Sequence, residues 1–130
     1  MPLPNGPVRR IAKPLTAIDP PIKAGDIVWV PFPFVEAPRM RERPAVVVSL
    51  AAPVPGISLL WVLMITSAAN KGWVGDISLE QCFAECGLRV PCVIRTAKIT
   101  TVEADRARVE GALPASLLAE LRTVLAERLN

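Results

Sequence analysis

The sequence predicts a mainly β fold, a small barrel-like sheet closed by one C-terminal helix. Three observations point there. Short apolar runs rich in β-branched residues recur at 27–30, 45–48 and 58–66, with proline or glycine between them. Only the stretch after Pro114 repeats its leucines at helical spacing. With 130 residues, the chain is large enough for one domain and one core.

Residues 1–23 contain six prolines and one glycine without a sustained apolar period. They read as an extended or disordered arm ahead of a domain over 24–130. Gly25-Asp26 signals a turn. Ile27, Val28, Trp29 and Val30 form the first strand, and Pro31 and Pro33 are expected to stop it. A polar loop over 34–42 leads into the second strand at 44–50, where Pro44 stands first and its missing N–H is tolerated. A loop with Pro53 and Pro55 precedes the third strand at 58–66, which is apolar almost throughout and so central or at an interface. Residues 76–80 alternate polar and apolar, as a half-exposed strand does. A loop over 81–89 carries Cys82 and Cys86, and a fifth strand at 92–99 contains Arg95 and Lys98. The charged segment 103–108 reads as a helical turn, and Val109-Glu110 as a last short strand. Pro114 opens the helix in the favoured first turn. Leu117, Leu118, Leu121, Val124, Leu125 and Leu129 then share one face.

Composition narrows the function. Arg9, Arg10, Lys13 and Lys23 against Asp19 account for the whole net charge of +3, and the remaining cations and anions balance. Basicity of the whole chain therefore says nothing about nucleic acid, and local clustering must carry that reading. Three cysteines without a histidine fit neither a disulfide framework nor a zinc site, so free thiols in a reducing cytosol and no metal are expected. No apolar run reaches membrane-spanning length, and no hydrophobic signal region stands at the start. A cytoplasmic protein without a membrane partner is the expectation. P-loop, dinucleotide and hydrolase-elbow motifs are absent from the sequence. Hydrophobic residues make up 52%, and the run 59–65 is apolar on both faces, so a homodimer is expected to cover one of them.

Two stretches carry candidate chemistry. Arg39, Arg41 and Arg43 place three cations in five residues before the second strand. Guanidinium groups bind phosphate through two parallel hydrogen bonds, although a solvated basic loop has the same pattern. Thr66-Ser67-Ala68-Ala69-Asn70-Lys71-Gly72 follows the third strand with two hydroxyls, small residues and a lysine. Such a corner can contact an anion, and ordinary turn chemistry accounts for it equally.

The order of motifs resembles the MazF/PemK family of toxin ribonucleases. The matching pieces are Gly25-Asp26-Ile27-Val28-Trp29-Val30, Arg43-Pro44-Ala45-Val46-Val47-Val48-Ser49, Ile65-Thr66-Ser67, Pro91-Cys92-Val93-Ile94-Arg95 and Ile99-Thr100-Thr101-Val102-Glu103. The C-terminal leucine helix fits as well, so the likeness covers roughly residues 24 to 129. It implies an SH3-like (PemK-like) antiparallel barrel with a C-terminal packing helix. It implies the toxin of a type II toxin–antitoxin system, a metal-independent endoribonuclease that cleaves single-stranded RNA, needs no cofactor, dimerises and is blocked by a cognate antitoxin. By the same resemblance Arg43 and Thr66 match catalytic residues, Arg95 matches an arginine that some members use catalytically, and Ser67 matches an RNA-contacting hydroxyl. Arg39, Arg41, Lys71 and Glu36 join Ser67 as expected RNA contacts, and Glu36 or Glu42 is the expected proton acceptor. The chain departs from the pattern at Ala97, where some members carry an acid, and it lacks the histidine that others use. A barrel that binds an antitoxin, nucleic acid or topoisomerase without cutting RNA is the alternative.

Overall fold

The computed structural model describes residues 21–32 and 41–129. The strands are β1 (Asp26–Phe32), β2 (Arg41–Val54), β3 (Ile57–Ser67), β4 (Ile77–Ser78), β5 (Cys92–Glu103) and β6 (Arg108–Ala112), and one helix, α1 (Ala115–Leu129), closes the chain. All strands join one antiparallel sheet in the order β4-β5-β3-β2-β1-β6. The sheet curls into a half-barrel, as the mainly β expectation requires. Register shifts at Val47/Ser49 and Leu63/Ile65 add the local bends by which a sheet curves.

The sheet has a core on each face. Ile27, Val46, Leu63, Ile65 and Ile94 pack with Leu79, Leu88 and Leu121 in one cluster. Their neighbours Val28, Val47 and Val62 alternate to the other cluster with Val30, Ala45 and Leu60, covered by Ile22, Met64 and Val102. This corrects the reason given for a dimer. Within the apolar run at 59–65, Leu60, Val62, Leu63 and Ile65 are fully buried in one chain, and only Trp61 is left exposed. Leu50, Ile57, Trp61 and Ile99 remain exposed.

Several strands outrun their expected ends. Strand β1 passes through Pro31, which pairs with Glu42. Pairing with β6 ends at Trp29, so Pro31 has a neighbour on one side only, where a missing N–H is tolerated. Strand β2 begins at Arg41 and runs to Val54, absorbing much of the expected loops, because Phe32 and Ile57 provide ladder partners at its two ends. Arg43 therefore sits inside a strand, opposite Val30, and not on a loop. Strand β5 likewise extends to Glu103, opposite Leu59. Strand β4 shrinks to two residues. Beyond it the Ser78 hydroxyl accepts from the Glu80 N–H at 3.0 Å and donates to the Glu80 carboxylate at 3.0 Å, a local pattern that competes with the ladder. Helix α1 follows Pro114, whose carbonyl accepts from Leu117 and Leu118. Leu117, Leu118, Leu121, Val124 and Leu125 face the core as their spacing predicts. No helix among the described residues is long and apolar enough to cross a membrane.

Two backbone approaches need glycine. Gly25, at φ +92°, donates to the Val47 carbonyl at 2.8 Å and accepts from Leu113 at 2.8 Å, which ties the first turn to β2 and to the start of the helix. Gly111 in β6 lies against the Cys86 carbonyl, and a Cβ there would fall inside van der Waals contact with that backbone oxygen. Gly111→Ala is expected to cost about 1–3 kcal/mol through this overlap, read as a lower urea midpoint. An unchanged midpoint would mean that the two backbones part without strain.

Candidate functional site

The antiparallel ladder brings the start of β2 beside the end of β3. Two clefts open there. The larger, about 300 Å³, is lined by Trp29, Glu42, Arg43, Thr66, Ser67 and Arg89 among others. The smaller, about 190 Å³, is lined by Arg43, Met64, Thr66, Asn70, Arg95 and Lys98. Arg43 and Thr66 line both and form the divide between them. Arg43 is half-buried on a rigid strand, so its guanidinium is presented from a fixed base.

The hydroxyl corner is shaped by a one-turn helical segment over Ala68–Asn70. The Ser67 hydroxyl caps it by accepting from the Ala69 N–H at 3.1 Å. The Thr66 hydroxyl accepts from the Asn70 side-chain amide at 3.1 Å. An accepting hydroxyl keeps its own proton for donation, so Thr66 can still offer an O–H to an anion. Lys71 pairs with Glu80 at 3.3 Å and lines neither cleft.

Arg95 organises the next loop. A charge inside an apolar strand demands a partner. It is 7% exposed, and it donates Nε and Nη2 to the two oxygens of Asp76 at 3.2 and 2.9 Å. Nη2 also donates to the Asn70 carbonyl at 2.6 Å. Asp76 in turn accepts from the Gly72 and Trp73 N–H groups at 3.2 and 3.1 Å. The Arg95 guanidinium lies 4.2 Å from the Trp73 ring centroid, and the Lys98 ammonium 5.3 Å from it. Thr96 fastens the loop again through its hydroxyl to the Gly75 carbonyl at 2.8 Å.

The Arg95 hydrogen bonds, helped by the Trp73 N–H, hold the Asp76 carboxyl below the usual 3.8, against the opposing effect of burial. A lowered folded-state value means that ionised Asp76 stabilises the fold fully above about 3.8. That contribution disappears as the pH falls through the lower folded value. An acid titration of wild type against Asp76→Asn should therefore show an acid-sensitive component below pH 3.8 in wild type alone. Parallel acid curves for the two proteins would remove the ion pair from the account.

Glu42 is held by Arg108 at 2.9 Å, and Arg108 also reaches Glu110 at 2.6 Å. The three thiols are free, with Cys82 and Cys86 sulfurs 3.8 Å apart. Burial pushes the Cys86 thiol up to about 12 and raises that of Cys92. Neither supplies a thiolate at neutral pH, although Cys92 lines the larger cleft.

Of the expected site residues, Arg43, Thr66, Ser67 and Arg95 meet around the clefts. Glu36 and Arg39 lie outside the described residues, as does the side chain of Arg41. Sequence reasoning missed Asn70, Asp76, Trp29 and Trp73 as parts of the site. The signal for Asp76 was present in Arg95, whose place in an apolar strand calls for a carboxylate.

The fold finds its counterpart in known proteins. A family profile described as PemK-like, MazF-like toxin of type II toxin-antitoxin system matches residues 23–129. The chain belongs to that family. The fold agrees with the crystal structure of MazF (form I) from Deinococcus radiodurans at 30% identity and a TM-score of 0.63, covering 85% of this chain and 98% of that one. It agrees with the crystal structure of MazE–MazF (form II) from the same organism at 30% identity and a TM-score of 0.65, covering 85% and 97%. No curated protein matches the chain.

Proposed function

We propose that the chain is an endoribonuclease toxin that cuts single-stranded RNA without a metal ion and is restrained by an antitoxin. The observation that carries the reading is the position of Arg43 and Thr66 on the divide between two clefts. A phosphodiester lying across that divide places one nucleotide on each side. RNA supplies its own nucleophile. The 2′-oxygen attacks the adjacent phosphorus, the P–O5′ bond breaks, the 5′-oxygen takes a proton from water, and a 2′,3′-cyclic phosphate and a 5′-hydroxyl remain. Arg43 aims two N–H groups at the non-bridging oxygens and stabilises the charge of the pentacoordinate phosphorus. Thr66 donates its hydroxyl to the same phosphate. The chain has no histidine, so a carboxylate takes the 2′-hydroxyl proton, and Glu42 stands on the larger cleft to do so. Among the described residues Glu42 is the one carboxylate lining these two clefts, and a divalent ion asks for more oxygen ligands than that. Lys98 adds positive charge to the smaller cleft beside the Arg95–Asp76 pair, and Ser67, Arg39 and Arg41 add contacts along the RNA.

The MazE–MazF complex of similar fold supports an antitoxin partner. The exposed side chains of Leu50, Ile57, Trp61 and Ile99 support a second copy of the chain as another partner. Incubating the purified protein with single-stranded RNA in excess chelator should give fragments with 5′-hydroxyl ends. Intact RNA in chelator that is cut once magnesium is added would overturn the metal-independent reaction.

One observation favours a second reading, a barrel that binds without cutting. Arg95 directs Nε and Nη2 to Asp76 and Asn70. RNA bound by the protein but left intact under all conditions would select it.

A further inference from the structure

We propose that Trp73 is a stacking platform for a base of the bound RNA on the Arg95–Lys98 side of the cut phosphate. This rests on the ribonuclease reading above and adds to it a residue that sets where the strand lies.

Trp73 is 47% exposed, an unusual position for the largest side chain. It is nevertheless held in place. Its backbone N–H donates to Asp76, Asp76 is gripped by buried Arg95, and the Arg95 guanidinium lies 4.2 Å from the ring centroid. The backbone and the Arg95 contact hold the residue from the protein side while the residue stays exposed. A pre-set aromatic loses little conformational freedom when it binds. Such rings are what single-stranded RNA stacks on, because every base has a π-face.

Position points to RNA as the occupant. Arg95 and Lys98, the two cations at the Trp73 ring, also line the smaller cleft with Arg43 and Thr66. An indole also lines the larger cleft, that of Trp29. Trp73 itself lines neither cleft, and its ring stands just beyond the smaller one, against the two cations that line it. Lys98 beside Trp73 attracts the phosphates that flank a stacked base, while Arg95 is held by Asp76 and supports the ring. A protein segment from the antitoxin is the competing occupant, and the position beside the catalytic divide favours the nucleic acid.

The test uses short, labelled single-stranded RNA with 2′-O-methyl groups, which cannot be cut, and the same strand without bases. Trp73→Ala should weaken binding of the base-bearing strand by roughly five- to a hundredfold, the range for losing one aromatic stack. Trp73→Phe should keep most of the affinity and serves as the control for folding. Both variants should bind the abasic strand as wild type does, because the ring has nothing there to stack on. The salt dependence should keep its slope, since no phosphate contact is lost. Wild-type affinity in Trp73→Ala, or an equal loss on both strands, would overturn the proposal while leaving the ribonuclease reading in place. Unchanged RNA binding with loss of a co-expressed antitoxin chain would assign the ring to the protein partner and overturn it too. A wild-type protein that binds neither strand would sink the ribonuclease reading and this proposal with it.

Discussion

Arg43→Ala is expected to slow RNA cleavage about a hundredfold while the melting temperature barely moves. One preorganised donor on a developing oxyanion is worth on the order of 3 kcal/mol, and Arg43 is the cation common to both clefts. Its backbone lies near the start of β2, paired with Val30 of β1, and alanine leaves that ladder intact. Only the half-buried aliphatic stem is lost from packing. Arg43→Lys should recover part of the rate, because it keeps the charge and loses the two-pronged geometry. Single-turnover cleavage and thermal melting on the same preparations decide the matter. A variant that cuts at the wild-type rate would remove Arg43 from the catalytic machinery.

Leu121→Ala should do the reverse. Leu121 is 1% exposed and is the deepest anchor of α1, set among Leu79, Leu88 and Ile94 of the same cluster. Truncating such a residue leaves a cavity as well as lost burial, at about 2–5 kcal/mol. For a domain of this size the melting temperature should fall by roughly 10 °C or more. No residue of α1 lines either cleft, so the folded fraction should cut RNA at the normal rate. Lower activity per folded molecule would show that the helix also shapes the site. Together the two variants separate the machinery of the site from the framework that carries it.

The local features of the sequence had local causes and could be read. Gly25-Asp26 makes its turn because the Asp26 carboxylate accepts from the Lys23 N–H at 2.9 Å, within three residues. The leucines of α1 face the core because a helix repeats every 3.6 residues, whatever it packs on. The alternation and β-branching of 27–30, 45–48 and 58–66 located three strands for the same reason. Arg43 and Thr66 stood out beside apolar runs and through the family resemblance, and the structure brings both to the same two clefts.

Tertiary structure decided the rest. The far ends of β2 are strand because partners lie across from Arg41 and Val54, which no local pattern encodes. The doubly apolar β3 looked like a surface in search of a second chain. Leu60, Val62, Leu63 and Ile65 are covered by the curl of their own sheet and by α1, while Ile57 and Trp61 stay exposed. Arg95 and Asp76 lie 19 residues apart, and only the fold makes them a bidentate pair. That pair converts Arg95 from a charge on a strand into the clamp of the Trp73 loop. Lys71, plausible beside the hydroxyl corner, is drawn off by Glu80 across another turn. Periodicity and turn chemistry act over a few residues and are written in the chain. Pairing, burial of charge and the meeting of two clefts at Arg43 and Thr66 depend on distances through space, which the chain acquires only on folding.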